Sequence, residues 1–412
     1  MLVRPIKPQS LLYTGMLAGL ASLPPLSIDM NLPAIPAIEA SLGVASGQGA
    51  LTFSLFLLGF AIAPIVGGPV ADRFGRRPTL LLSLLFTSIA AFSCMIAPSF
   101  RTLLIFRLIQ GIASGICILL PLAIVRDTLS ESEAPKLLSR IMLVVAVAPL
   151  IAPIIGAWVL SWSDWRTIHA VQGGLSTLLL LLTAMGFEET LEEDRRTPLS
   201  MRQIGSAYAE IATSKTFLGF SFLMAFTFGC MFSYISGSPG LLQVQLGLSE
   251  NLYSLVFAFT SFGIMCGSYI SYRLGKRDVP ARSIINRGLA CMVVAVAAAL
   301  VLVLNGFVHL ETMAPALFLI MMCAGTIQPN CMAEAVAPLP HIAGTASGAL
   351  NSLQMFIGSA ASACVTFLTG YFTPALAMMI SMACSIALAF AVYHGLRTGR
   401  APGKLEMNPE TD

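Results

Sequence analysis

Twelve apolar runs follow one another along the chain, most of them about 17–25 residues long, the length that crosses a hydrocarbon core of roughly 30 Å. They cover 11–36, 50–70, 79–97, 102–125, 140–160, 167–187, 216–236, 251–272, 284–305, 311–336, 343–370 and 374–396. Inside lipid a backbone can satisfy its own hydrogen bonds only as helices or as a closed barrel, and runs this long predict helices. Composition removes the alternative of a water-soluble enzyme. Apolar residues make up 56% of the 412, charged residues only 10%, and mean hydropathy is +0.83, whereas soluble domains carry roughly 25% charged residues. The first run follows Arg4 and Lys7, as a signal peptide would, but it is too long and contains Pro24, Pro25 and Asp29. It is therefore expected to be retained as a span. Nine cysteines all fall inside the runs with no Cys-x-x-Cys pair, which suits packing residues rather than disulfides or metal ligands.

A tight basic turn occurs twice. Gly68-Pro69-Val70-Ala71-Asp72-Arg73-Phe74-Gly75-Arg76-Arg77 lies between the second and third runs, and Arg273-Leu274-Gly275-Lys276-Arg277 stands 200 positions on in the same register. Gly267 falls opposite Gly67 and Leu255 opposite Leu55. A duplicated transporter accounts for this spacing better than the general liking of short membrane turns for Gly and Arg. The polar stretch 188–215 splits the runs six and six. The expected organisation is a first six-helix bundle over 1–187, a solvated linker over 188–215, a second bundle over 216–396 and a mobile tail over 397–412. Placing the N-terminus in the cytoplasm puts 20 of the 23 Lys and Arg there, leaves Arg101 and Arg166 outside, and sets Arg107 within the membrane. The positive-inside rule then assigns both termini to the cytoplasm.

Five segments together resemble the major facilitator superfamily and, within it, the Bcr/CflA-type drug:proton antiporters. They are the 68–77 turn, Asp29-Met30-Asn31-Leu32-Pro33-Ala34-Ile35-Pro36, Arg107-Leu108-Ile109-Gln110-Gly111, Tyr234-Ile235-Ser236-Gly237-Ser238-Pro239 and Ala343-Gly344-Thr345-Ala346-Ser347-Gly348. The resemblance runs from about 11 to 396. It departs where that family usually has Tyr in place of Asn31, and where the Gly-Pro-Gly-Gly signature of the fifth span survives only as Pro149, Pro153 and Gly156. It implies an all-α fold of twelve transmembrane helices in two pseudo-symmetric bundles, sited in a bacterial inner membrane. It also implies proton-driven efflux of small drugs or metabolites, with small-molecule substrate, protons and lipid as partners. No cofactor, metal, nucleic acid or enzymatic activity is expected, and the unit is expected to be a monomer. The alternatives are a dedicated exporter of one metabolite, such as a sugar or an amino acid, and a membrane sensor that binds a ligand without moving it.

Asp29 is the leading candidate for proton coupling, because a charged side chain at the centre of a membrane helix costs about 2.5–3.5 kcal/mol or more and generally faces a cavity or a partner. Its other reading is a structural acid that caps or pairs with a neighbour. Arg107 is the candidate counter-charge, since at 1.5 Å per residue both sit about 8–9 Å from the same membrane face. Residues expected along a substrate cavity are Asn31, Gln110, Phe228, Met231, Tyr234, Asn330, Glu334 and Gln354. The aromatic and Met residues among them, like Met355, are of a kind more often used for simple packing. Glu334 is either a cavity acid or a headgroup-level acid beside His341. His169 and His309 are placed near the outer surface. The resemblance implies a conformational latch built from Gly68, Asp72, Arg73, Gly75, Arg76, Arg77 and Asp127. In it Asp72 lies against the start of the eleventh helix, and the arginines meet Asp127. No Gly-x-Ser-x-Gly, His-Glu-x-x-His or phosphate-binding Gly-Lys-Ser/Thr loop occurs, so an ion gradient is the expected energy source.

Overall fold

Helices account for the regular structure, and no strand occurs among the described residues. A computed structural model describes residues 10–130, 132–196 and 201–398. Arg4, Lys7, Arg400, Lys404 and the tail from 399 lie outside them. The first half consists of α1 (Leu11–Asp29), short α2 (Ile35–Leu42), α3 (Leu51–Phe74), α4 (Arg76–Met95), α5 (Phe100–Thr128), α6 (Ala134–Leu160) and α7 (Trp165–Gly186). After α8 (Met201–Thr213) the second half follows as α9 (Lys215–Pro239), α10 (Glu250–Gly275), α11 (Ala281–Leu304), α12 (Leu310–Val336), α13 (Ala343–Leu368) and α14 (Pro374–Thr398). Among the described residues, eleven spans are long and apolar enough to cross a membrane. The twelfth, α13, has 26 residues but carries Gly344, Ser347, Gly348, Asn351, Ser352 and Gln354, so it depends on its protein neighbours to cover its polar face.

Local sequence sets the ends. Ser10, Ser99, Asp164, Ser214 and Ser249 each accept a hydrogen bond from the backbone N–H three residues on, opening α1, α5, α7, α9 and α10. Pro24 and Pro25 lie inside an unbroken α1. The bend comes later, at a 3-10 turn over Leu32–Ala34 that holds Pro33 and leads into α2. A single residue, Gly75, separates α3 from α4.

Duplication is visible in the packing. α3 packs on α5 in the first half, and α10 packs on α12 in the second. A Cβ at Gly67 would lie 2.7 Å from Ile116, and one at Gly267 would lie 1.9 Å from the Met322 carbonyl oxygen. The two glycines that share a register thus do the same thing, letting the second helix of each half approach its fourth.

The two halves meet along α3–α13 and α6–α10. The side with the two basic turns is called here the basic face and the other the far face. The hydrogen bonds joining the halves cluster towards the far face. Ser54 Oγ donates to Ser362 Oγ (2.9 Å), Ser359 to the Ser54 carbonyl (2.7 Å), Ser254 to the Pro153 carbonyl (3.0 Å), and Gln243 to the Pro33 carbonyl (3.0 Å). A cavity of about 210 Å³ remains among Ile35, Glu39, Ala50, Gly237, Val365 and Thr369 near that face. Another, of about 310 Å³, opens between α6 and α10 nearer the basic face, at Pro149, Ser261 and Ser268.

The 188–215 stretch is not the simple solvated linker expected from its composition. Glu189 accepts hydrogen bonds from the Arg76 and Arg77 amides (2.8 and 3.2 Å) and so caps α4. α8 packs on α9 and α13, with Ile211 buried and Glu210 paired to His341 at 2.9 Å.

Candidate coupling site and conformational latch

Asp29 ends α1 just before the bend, on the first-half side of the junction, and is 5% exposed. Among the described residues no cation lies within 4 Å of its carboxylate. Gly156 of α6 lets the bend pack closely, since a Cβ there would meet the Met30 carbonyl oxygen at 2.1 Å. From the second half, Tyr253 of α10 lies near Asp29, and its hydroxyl bonds Ser238 at 2.9 Å. An acid at the end of one helix is thereby enclosed by elements of both halves.

The expected Asp29–Arg107 ion pair is not formed. Arg107 is 1% exposed and reaches the α1 backbone instead, donating to the Ser27 carbonyl (3.0 Å) and to Gln110 Oε1 (2.8 Å). Its guanidinium also lies 4.6 Å from the Phe56 ring centre, a cation–π contact worth about 2 kcal/mol when desolvated. A carbonyl, an amide and an aromatic face thus hold the cation while leaving Asp29 free. Asn31 donates to the same Ser27 carbonyl (2.9 Å), and Gln110 donates to Gln172 of α7 (3.3 Å). Gln172 was not singled out from the sequence. His169, placed there near the outer surface, is 1% exposed and sits beside Gln172 and Arg107. Helical spacing carried the signal, because His169, Gln172 and Ser176 form a polar stripe on α7 just as Arg107, Gln110 and Ser114 do on α5.

The second-half candidates are held largely by neighbouring side chains. Tyr234 is fully buried, stacked on Phe257 and bonded to Thr260 at 2.6 Å. Phe228 and Met231 are also buried, Phe228 against Phe232. Asn330 links α12 to α10 through Ser271 (2.6 Å), and Gln354 reaches Gln328 at 3.4 Å. Glu334 pairs with Arg282 of α11 at 2.9 Å. It is therefore not a bare cavity acid, and its partner is Arg282 rather than His341.

The basic turn is tied within the first half. Arg76 stands between Asp72 and Asp127, at 3.0 Å from the latter. Arg77 donates to the Phe187 and Ala184 carbonyls at the end of α7 (2.7 and 3.0 Å), while Arg73 lies over Phe74. Gly68 has open space around it. Asp72 is bonded to Arg76 and its side chain is 46% exposed, so its hydrogen-bonded partner here is Arg76 rather than the start of α13.

A model of the major facilitator superfamily matches residues 17–363. The chain belongs to that superfamily. Over 394 residues it is 31% identical to the uncharacterized MFS-type transporter YdgK of Bacillus subtilis (strain 168), covering 95% of this chain and 97% of that one. It is 26% identical over 379 residues to a bicyclomycin resistance protein homolog of Haemophilus influenzae, covering 92% and 94%. Multidrug resistance protein MdtL of Salmonella heidelberg is 26% identical over 381 residues, covering 91% and 93%. These relatives agree with the Bcr/CflA-type resemblance. Among solved structures, a bacterial homolog of the human lysosomal transporter Spinster, inward-facing and unoccupied, superposes with TM-score 0.72 at 18% identity, covering 97% of this chain and all of that one. The D-xylose–proton symporter does so with TM-score 0.69 at 16% identity, covering 93% and 98%. This facilitator is therefore a multi-pass membrane transporter with the superfamily's fold.

Proposed function

We propose that this facilitator is a proton-coupled antiporter that exports small drugs or metabolites from the cytoplasm across a bacterial inner membrane, the basic face being cytoplasmic. The observation that carries the reading is Asp29, an acid buried beside the junction of the halves with no cation against it among the described residues. Hydration or a nearby cation favours an ionised carboxylate, and dry burial disfavours it. Rocking the halves between openings changes both the water around Asp29 and its distance from Arg107, and so changes its hold on a proton. The names of the resistance relatives support drugs as substrates. Moving one proton inwards yields about 2.3 kcal/mol per 100 mV, enough to sustain a roughly 50-fold gradient of an uncharged solute.

Everted membrane vesicles energised to an acidic interior provide the test. Adding ethidium as the probe drug should dissipate the pH gradient when this protein is present. The Asp29→Asn variant should still bind ethidium and dissipate nothing. Full ethidium-driven dissipation by that variant would remove the proposal.

A further inference from the structure

The Arg107 network extends further than a proton site on α1 and α5 would need. Through hydrogen bonds it runs from Asn31 to the Ser27 carbonyl, Arg107, Gln110 and Gln172, with His169 beside Gln172. Every side chain in it is at most 3% exposed. Five of its polar atoms have no protein partner: Asn31 Oδ1, Arg107 Nε and Nη2, His169 Nδ1 and Gln172 Nε2. Buried polar atoms left dry are rare, and a polar pocket offering several donors and acceptors is where ordered water is held. A histidine serving only as core packing would have its ring nitrogens satisfied by protein. His169 instead packs edge-on against Trp165 and leaves Nδ1 buried without a protein partner. Of the other titratable groups, Cys94 of α4 faces Arg107, while Asp29 of α1 faces Tyr253 of α10 across the junction.

We propose that α7 is a third arm of the coupling site, in which Gln172 and His169, with ordered water bound among them, hold the Arg107 guanidinium on Gln110 and away from Asp29. The inference rests on Asp29 as the proton carrier and adds two positioning residues and a water site to it. The network joins α1, α5 and α7 within one half, so it resets whenever α1 moves at its bend. Without its α7 anchors Arg107 is free to turn towards Asp29, where it holds the carboxylate ionised. A drug then finds no proton to displace at neutral pH.

Drug-triggered proton release from purified protein in liposomes, recorded against pH with ethidium as the probe, tests this. His169→Phe and Gln172→Leu should bind ethidium as the wild type does. Their release should fail at lower pH, the alkaline edge of the profile moving down by about one unit, a tenfold change in proton affinity. His169→Gln, which restores a polar group, should return the edge towards the wild-type position. An unmoved edge in both apolar variants, with binding intact, would overturn the proposal while leaving Asp29 coupling in place. Wild-type protein that binds ethidium and releases no proton at any pH would remove both. Should the variants fail to fold, a high-resolution map of the wild type decides the water site: density bridging Arg107, Gln172 and His169 supports it, and a dry network contradicts it.

Discussion

Gly75 shows how one residue of a sequence motif acquires a physical reason. Its φ of +101° and ψ of 159° lie in a region open essentially to glycine alone, at a cost of about 1–3 kcal/mol for any other residue. A Cβ there would also stand 2.2 Å from the Glu189 carboxylate, which caps α4. Gly75→Ala should therefore lower stability by at least that 1–3 kcal/mol, seen as a depressed midpoint of thermal unfolding in detergent. Glu189→Gln should cost less, about 1 kcal/mol, because the amide still accepts one bond but loses its charge at a helix N-terminus. Unchanged midpoints in both would contradict the cap. The need for glycine was legible in the sequence as a tight turn. Its acidic partner, 114 positions on, was not, because capping across a fold leaves no local pattern. Arg107 and His169 show the same limit: every face of a span is apolar by composition, so the inward side shows only in sparse polar stripes.

Among elements, the span lengths were readable because bilayer thickness fixes them, whereas the bends were not. Two adjacent prolines left α1 unbroken, and the break fell where Pro33 follows Asn31. α8 was missed because Glu, Arg and Thr dominate its surroundings, although Ile204, Tyr208 and Ile211 have helical spacing. The α3–α13 seam makes the most direct element-level prediction. Its serine hydroxyls, rather than ion pairs, join the halves near the far face. Each such bond is worth about 0.5–1.5 kcal/mol, so Ser359→Ala with Ser362→Ala should shift the population towards far-face opening by about tenfold. Electron–electron resonance between spin labels at Ser163 and Asn305, in a background lacking reactive cysteines, measures it. An unchanged distance distribution would show that the serines do not govern closure.

For the whole molecule, joined far-face ends and an Arg76 held between Asp72 and Asp127 describe one of the two openings an alternating transporter needs. If Asp72 changes partner from Arg76 to the α13 N-terminus when the basic face closes, Asp72→Asn should slow ethidium efflux several-fold at unchanged protein abundance. Normal rates at normal abundance would leave the turn as a topology anchor only. Duplication, span count and superfamily were legible in the sequence because they repeat over hundreds of residues. Which polar residues pair depends on the conformation adopted, and a single sequence holds both.

The proposed chemistry is exchange of drug for proton at Asp29. Ethidium binding and proton release measured together on one purified sample test it most directly. Release should follow binding in proportion for the wild type, and Asp29→Asn should bind ethidium without releasing a proton. Equal release from the two proteins would contradict it.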